Sequence, residues 1–269
     1  LDVTIKGAYN LEYTRKFEKN ERVIYIELYR PIKNLEDWKQ IKKSPTENYK
    51  LVTDLDFRNE TDINIDATFS GKLDGNGYTI KNITIQENTQ SMFKGLTGQI
   101  LNLNVENYKQ ENNINGNLGF IATANKAIIN NVNISNVSIS SNSLNIMVYI
   151  GGLVGTATGT TINNSSLTNV SIKNNKKISE IRAGGLIGTS STNRISNTYI
   201  QNLDIDLNNI YISNGIGGCI GYDGTNFYQS SISNSYVIGK ITTDVNNVGG
   251  IIGQETAILL EKCYTMVDI

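Results

Sequence analysis

Ile129-Asn130-Asn131-Val132-Asn133-Ile134-Ser135-Asn136-Val137-Ser138-Ile139 is the stretch whose reading decides the fold. It runs aliphatic, spacer, Asn, then two short segments of period two with another Asn between them. The same order returns over Ile162 to Ile172 and Ile195 to Ile205. A second mark, two glycines, two apolar residues and a glycine, stands at Gly151-Gly152, Gly184-Gly185, Gly217-Gly218 and Gly249-Gly250. Successive marks are 33, 33 and 32 residues apart. A fixed period of this size marks stacked units, each a supersecondary element that buries its apolar face only against its neighbours.

The phase of the opening stretch says how each unit turns. Strict alternation puts Ile129 and Ile134 on opposite faces, because strand side chains alternate with period two. Both point inward only if the chain turns a corner at Asn131. Asn is the side chain that best tolerates the left-handed backbone such a corner needs. The matching aliphatic/Asn pairs are Ile80/Asn82, Ile100/Asn102, Ile129/Asn131, Ile162/Asn164, Ile195/Asn197 and Ile232/Asn234, with a seventh, Leu260/Lys262, that lacks the Asn. A second phase break falls at Asn136, Asn169 and Asn202, and Gly239 reads as the next member, a residue that also accepts positive φ. After the first corner, Ile85, Val105, Ile134, Leu167, Ile200 and Val237 form an inward aliphatic stack. The nearer inward position shrinks from Ile83, Leu103 and Val132 to Ser165, Thr198, Ser235 and Cys263, which predicts a core that narrows or turns polar toward the C-terminal end.

Short inward faces joined at corners predict a right-handed parallel β-helix of about seven coils over residues 50–269. Coils paired at roughly 4.8 Å stack to roughly 30 Å. Aligned Asn side chains can hydrogen-bond up such a stack. A β-propeller is the alternative for a repeat of this length, but the 20-residue step from Asn82 to Asn102 is too short for a blade.

Composition agrees. Charged residues are 18% and aromatic residues 8% of 269, and two prolines leave backbone pairing almost uninterrupted. The net charge of −1 supplies no basic field for nucleic acid or an anionic membrane. No apolar run is long enough for a membrane helix. Cys219 and Cys263 fall in different columns of the repeat, so no mutual disulfide is expected. There is no histidine, which rules out a Ser-His or Cys-His nucleophile and a His-Glu-x-x-His zinc helix within this chain. The chain opens without Met and closes inside the repeat pattern, so it reads as an excised fragment or a processed chain, and it is expected to be a monomer.

Ahead of the array, residues 1–32 read as one or two strands, including the alternating run Arg22 to Tyr29 that Pro31 ends. They could be the tail of a preceding domain. Residues 33–49 hold the one helix signal. Asn34 is placed to cap it, Glu36 and Asp37 fall in the first turn where the helix dipole favours acids, and Leu35, Trp38 and Ile41 share a face. An array of this kind has an open apolar end that needs a cover. Trp38, the only Trp, reads as its plug; the rival reading is an exposed binding ring.

Three features offer chemistry. Asp54, Asp56 and Asp74 are the best carboxylate cluster, with Asp54 and Asp56 on one strand face, and could suit a hard cation in a carbohydrate-active β-helix. A solvated strand face and a turn residue explain them as well. Tyr199, Tyr236 and Tyr264 occupy matching outward positions, as a binding ladder or as cross-strand packing. Sequons such as Asn136-Val137-Ser138 follow from the repeat grammar.

The Gly-Gly-Leu-Val-Gly and Gly-Gly-Leu-Ile-Gly marks resemble the GLUG repeats of large bacterial surface proteins. The blocks Leu35 to Lys39, Tyr49 to Phe57, Phe69 to Ile80, Met92 to Gly95 and Ile100 to Leu103 resemble, in order, the non-catalytic region of the immunoglobulin A1-specific zinc metallopeptidases. The resemblance covers residues 33–269. It implies an exported, cell-surface or cell-wall bacterial protein in which this region is a scaffold or recognition surface for a host glycoprotein such as immunoglobulin A1. It places the zinc and the catalytic residues elsewhere in the parent protein; none is carried onto this chain, which is expected to hold no cofactor or metal of its own. An adhesin module without proteolysis is the alternative that the resemblance leaves open.

Overall fold

A computed structural model describes residues 2–6, 12–16, 27–85, 91–112, 116–142, 147–174, 178–208, 210–224 and 229–269. The chain is an all-β parallel solenoid of about six turns. Asp2–Lys6 and Glu12–Lys16 form a separate antiparallel pair. The expected strand over Arg22 to Tyr29 falls mostly outside the described residues.

Sheet pairing in the solenoid is parallel throughout. One face runs through Arg30–Ile32, Tyr49–Leu51, Lys72–Asp74, Gln99–Asn112, Ile128–Ser141, Thr161–Asn163, Arg194–Ser196, Ser230–Ser233 and Ile258–Glu261. A second large sheet holds the segments that flank the glycine marks. Register is held coil on coil: Ile100, Ile129, Ile162, Ile195, Ile232 and Leu260 stack in one column. Pro31 does not end the pairing. It sits in the edge strand of this face, the position where a missing N–H is tolerated.

Each coil turns at left-handed residues. Asn102, Asn131, Asn164, Asn197 and Asn234 have φ of 48–55°, and Lys262 holds the same corner at 52° where the Asn is lost. The second corner is Asn82, Asn107, Asn136, Asn169 and Asn202, with φ of 54–59°. A third left-handed corner lies at Lys126, Gly159 and Thr192. Its varied residue types carry no repeated signature.

Two alignments differ from the sequence reading. Asn82 belongs to the second corner, not the first: Ile80 pairs with Val105, Ile83 with Tyr108 and Ile85 with Gln110, while Ile100 stacks on Leu73. The aliphatic-x-Asn pattern occurs at both corners of a coil, and the short step joined one corner to the other. Gly239 is not a corner residue. It pairs with Leu203 after a one-residue register shift, and the following coil has lost the corner Asn. Its φ is not left-handed. A Cβ there would meet the Leu203 carbonyl at 2.3 Å, so close approach of two coils requires the glycine.

The interior changes along the axis. At the N-terminal end, helix Leu35–Lys39 is capped by Asn34, whose side chain accepts from the Asp37 N–H at 2.9 Å. Trp38 is fully buried and its indole N–H donates to the Ile63 carbonyl at 2.9 Å. Its ring lies edge-on to Phe57 at 5.3 Å and Phe93 at 6.2 Å, and the chain of rings continues through Phe69 and Tyr49 on one side and Phe120 and Tyr108 on the other. Further along, the inward positions become small and polar. Ser165, Thr198 and Ser235 are buried. Each hydroxyl donates to the carbonyl two residues earlier, and Ser165 and Ser235 also accept the Val132 and Thr198 N–H groups of the coil before, both at 3.1 Å. A corner breaks the backbone ladder, and a buried N–H without an acceptor is costly, so a side-chain oxygen from the next coil takes its place.

Candidate interaction surfaces

Two of the three candidate carboxylates, Asp56 and Asp74, are anchors of amide ladders. Asn202, Asn169, Asn136, Asn107 and Asn82 each donate a side-chain N–H to the residue one coil earlier, at 2.8–3.0 Å, and the last acceptor is Asp56 Oδ1. At the first corner, Asn131 donates to Asn102, which donates to Asp74 Oδ1 at 3.1 Å. Asp54 Oδ1 accepts the Thr79 N–H at 2.8 Å. The Asn82 bond, the Arg58 N–H and nearby cations hold the Asp56 carboxyl below its ordinary range. Burial raises Asp74, but bonds from Asn102, the Asn76 N–H and Lys50 outweigh it and lower the carboxyl. Asp54, Asp56 and Asp74 therefore each serve a separate structural contact. No group of three or more His, Cys, Asp or Glu positioned for a metal occurs among the described residues.

The tyrosines form a continuous outer stack. Tyr199 and Tyr236 lie 5.2 Å apart and 7° from parallel; Tyr236 and Tyr264 lie 4.9 Å apart at 11°. Both spacings match the coil-to-coil distance of a sheet. Gln201 Nε2 donates to the Tyr236 hydroxyl at 2.6 Å. Burial, with Tyr264 and Tyr199 adding to it, raises the Tyr236 phenol above its ordinary value. The inner ring faces are spent on one another, so the ladder presents ring edges and hydroxyls along its length and does not offer a row of open faces.

The glycine marks build something the sequence reading treats only as repeat tags. In each mark the chain folds back between two strands: Met147–Gly151 into Val154–Thr158, Ile178–Gly184 into Ile187–Ser191, and Ile210–Gly217 into Ile220–Asp223. A Cβ on Gly151 would sit 2.0 Å from the Val154 carbonyl, and one on Gly152 would sit 2.4 Å from the Gly185 carbonyl. The third glycine lies against the preceding coil: a Cβ on Gly188 would meet Ile150 N and the Gly155 carbonyl at 2.7 Å. Gly184, Gly185, Gly217, Gly218, Gly249 and Gly250 are equally hemmed in by backbone or side chain. The bend is therefore concave outward, and side chains from its two flanks meet. Asn117 donates to Thr123 at 3.0 Å, and Thr156 donates to Asn117 at 2.9 Å. Two coils on, the Arg182 guanidinium lies 5.0 Å from the Tyr149 ring and 4.1 Å from the Tyr222 ring.

Cys219 is buried in the inward position of one glycine mark, and burial pushes its thiol up to about 12. Cys263 takes the column of Ser165, Thr198 and Ser235, with its thiol toward the Glu261 carbonyl. Both are free. No described helix is long and apolar enough to cross a membrane.

The architecture places this chain among parallel β-solenoids. Among solved structures it is similar to one titled IgA1 Protease, with a TM-score of 0.60 and 19% identity over 95% of this chain. The match covers 20% of that much longer protein, so the chain spans about a fifth of its length. At this identity the likeness is one of fold. No family model matches the chain, GLUG repeats included, and no curated protein matches it.

Proposed function

We propose that this chain is a non-catalytic scaffold and recognition region of an exported bacterial surface protease of the immunoglobulin A1-protease type, with zinc and the peptidase chemistry carried by another part of that protein. The observation that carries the reading is the match of nearly the whole chain to one-fifth of a structure so named. Two further features support it. The chain has no histidine for a zinc peptidase centre, and of the carboxylates that could serve a carbohydrate-cleaving site, Asp56 and Asp74 are engaged in the Asn ladders and Asp54 accepts the Thr79 N–H. A rigid parallel stack suits a spacer, and its outward tyrosines and glycine-bend groove suit contact with a host glycoprotein.

An adhesin module is the second reading, favoured by the exposed Tyr199–Tyr236–Tyr264 stack, which needs no protease partner to be useful. Surface plasmon resonance of the purified chain over immobilised immunoglobulin A1 and a mucin-type glycoprotein separates the two. Saturable binding to immunoglobulin A1 that survives moderate salt supports the recognition reading. Binding to mucin alone points to the adhesin, and binding to neither at high micromolar concentration leaves a spacer without a recognition role.

A further inference from the structure

The groove at the glycine bends holds a group that its own surroundings leave underused. Arg182 lies in it with its guanidinium between Tyr149 of the preceding coil and Tyr222 of the following one. The side chain is four-fifths buried. Contact with both rings restrains the guanidinium, which removes much of the side-chain entropy that an arginine loses on capturing an anion. Its ionic partner is Glu180, whose Oε1 lies 3.6 Å from one terminal nitrogen, too far for a hydrogen bond. That same oxygen is held by the Asn214 amide at 2.5 Å. Arg182 Nε is buried with no acceptor, and so is the Thr189 hydroxyl on the facing flank, in register with Tyr222. Buried polar atoms without partners are rare and mark a place where a ligand or water is wanted.

The rest of the lining indicates the kind of ligand. The flanks carry threonine hydroxyls, asparagine amides and tyrosines, and the floor is glycine backbone. Neutral hydrogen-bonding groups for hydroxyls come from Thr156, which is bonded to Asn117, from the unpaired Thr189 hydroxyl and from the Asn214 amide that holds Glu180. The cation is the preorganised Arg182 guanidinium, which matches a planar carboxylate, and the Glu180 carboxylate beside it opposes an anionic ligand.

We infer that the groove around Arg182 binds an acidic sugar, with the sugar carboxylate on the Arg182 guanidinium and its hydroxyls on the threonine and asparagine side chains of the bend. Tyr149 and Tyr222 hold the guanidinium, and Glu180 competes with the ligand for it. The inference deepens the recognition reading by naming a ligand class, but it stands or falls on a separate measurement.

The test is calorimetric titration of the whole chain with 3′-sialyllactose, lactose, a galacturonate trimer and hexaglutamate. Both acidic sugars are expected to bind, with lactose roughly tenfold weaker or undetectable, because a bond to a charged group contributes on this scale. Arg182→Gln is expected to weaken both acids by roughly tenfold with an unchanged melting temperature, and Arg182→Lys to recover only part. Glu180→Gln is expected to tighten acid binding roughly threefold by removing the competing carboxylate. A merely structural role for Arg182 does not produce that gain. Equal binding of lactose, equal binding of hexaglutamate, indifference to Arg182→Gln, or no binding of either acid overturns the assignment. The immunoglobulin measurement is independent: immunoglobulin A1 binding without Arg182-dependent acidic-sugar binding removes the groove site alone, and acidic-sugar binding without immunoglobulin A1 binding removes the immunoglobulin-recognition reading alone.

Discussion

The N-terminal turns carry their large rings inside the coil, and the C-terminal turns carry theirs outside. Trp38, Tyr49, Phe57, Phe69, Phe93, Tyr108 and Phe120 are all buried, whereas Tyr199 is 37% and Tyr264 51% exposed. The inner rings meet at 46–78° because they come from different columns and must interlock to fill volume. The outer rings are nearly parallel because they occupy one register position, and the sheet spacing alone brings them to stacking distance. One backbone grammar thus supports two interiors: a wide one filled by rings, and a narrow one in which Ser, Thr and Asn side chains replace backbone acceptors at the corners. The difference predicts that the two halves fail by different mechanisms.

The largest effect is expected at the ring-filled end. Trp38→Ala removes the plug, its bond to Ile63 and its edge contacts with Phe57 and Phe93, and should cost about 3–5 kcal/mol. In a stacked array the damage stays near the site. Hydrogen exchange should lose protection in residues 30–100 and keep it beyond Ile150. A uniform loss along the chain would show that the solenoid unfolds as one unit and that the contrast between its halves carries no energetic meaning.

The narrow half is tested at Asn193, which is fully buried. Its amide donates to the Ala157 carbonyl and the Ser190 hydroxyl at 2.8 Å, and its oxygen accepts the Thr160 N–H at 2.7 Å. Asn193→Ala strands that N–H without an acceptor, and about 2–3 kcal/mol should be lost in urea denaturation. A near-neutral substitution would mean that the polar interior is only small filler.

How much of this was legible follows the same division. The Asn corners stood out because a repeated left-handed residue leaves a repeated residue type, and the parallel solenoid followed from their phase. The third corner did not stand out, since Lys126, Gly159 and Thr192 share a backbone angle and no side-chain chemistry. The misplacement of Asn82 came from a pattern that serves two corners of each coil. The misreading of Gly239 came from taking φ as the sole reason for a glycine, where the Leu203 backbone one coil away was the cause. The Arg182 groove was not legible at all. Tyr149, Arg182 and Tyr222 are far apart in sequence, and only the fold of the glycine bend brings the last two together across its flanks.

A smaller effect is expected from the outer stack. Tyr236→Ser removes the middle ring and should cost about 1 kcal/mol, near the measured range for aromatic pairs beyond their area. Tyr199→Ser and Tyr264→Ser each break one contact and should cost less. If Tyr236→Ser leaves stability unchanged while weakening a protein ligand, the stack is a binding surface first and a packing device second.

The smallest effect is a pH dependence that separates the anchored ladders from the ring core. Asp74 has a folded-state pKa below its unfolded value, because the bonds from Asn102, the Asn76 N–H and Lys50 outweigh the burial that raises it. A depressed carboxylate contributes stability above its unfolded pKa, and that contribution is lost as the pH falls through the folded pKa. Stability of the native chain should therefore decline below the ordinary Asp range, and Asp74→Asn should flatten the decline while leaving stability near neutrality slightly lower. Asp56 has the same sign but is exposed, so Asp56→Asn should change the slope less. The second-corner ladder runs unbroken from Asn202 to Asp56, with each amide N–H pointing to the N-terminal end, whereas Asp74 anchors only Asn102 and Asn131, because Asn164 and Asn197 donate to Asn130 and Asn163. Urea denaturation of both variants from pH 7 to pH 3, alongside Trp38→Ala, checks this: Trp38→Ala should shift the curve down at all pH values, and only the Asp variants should change its slope.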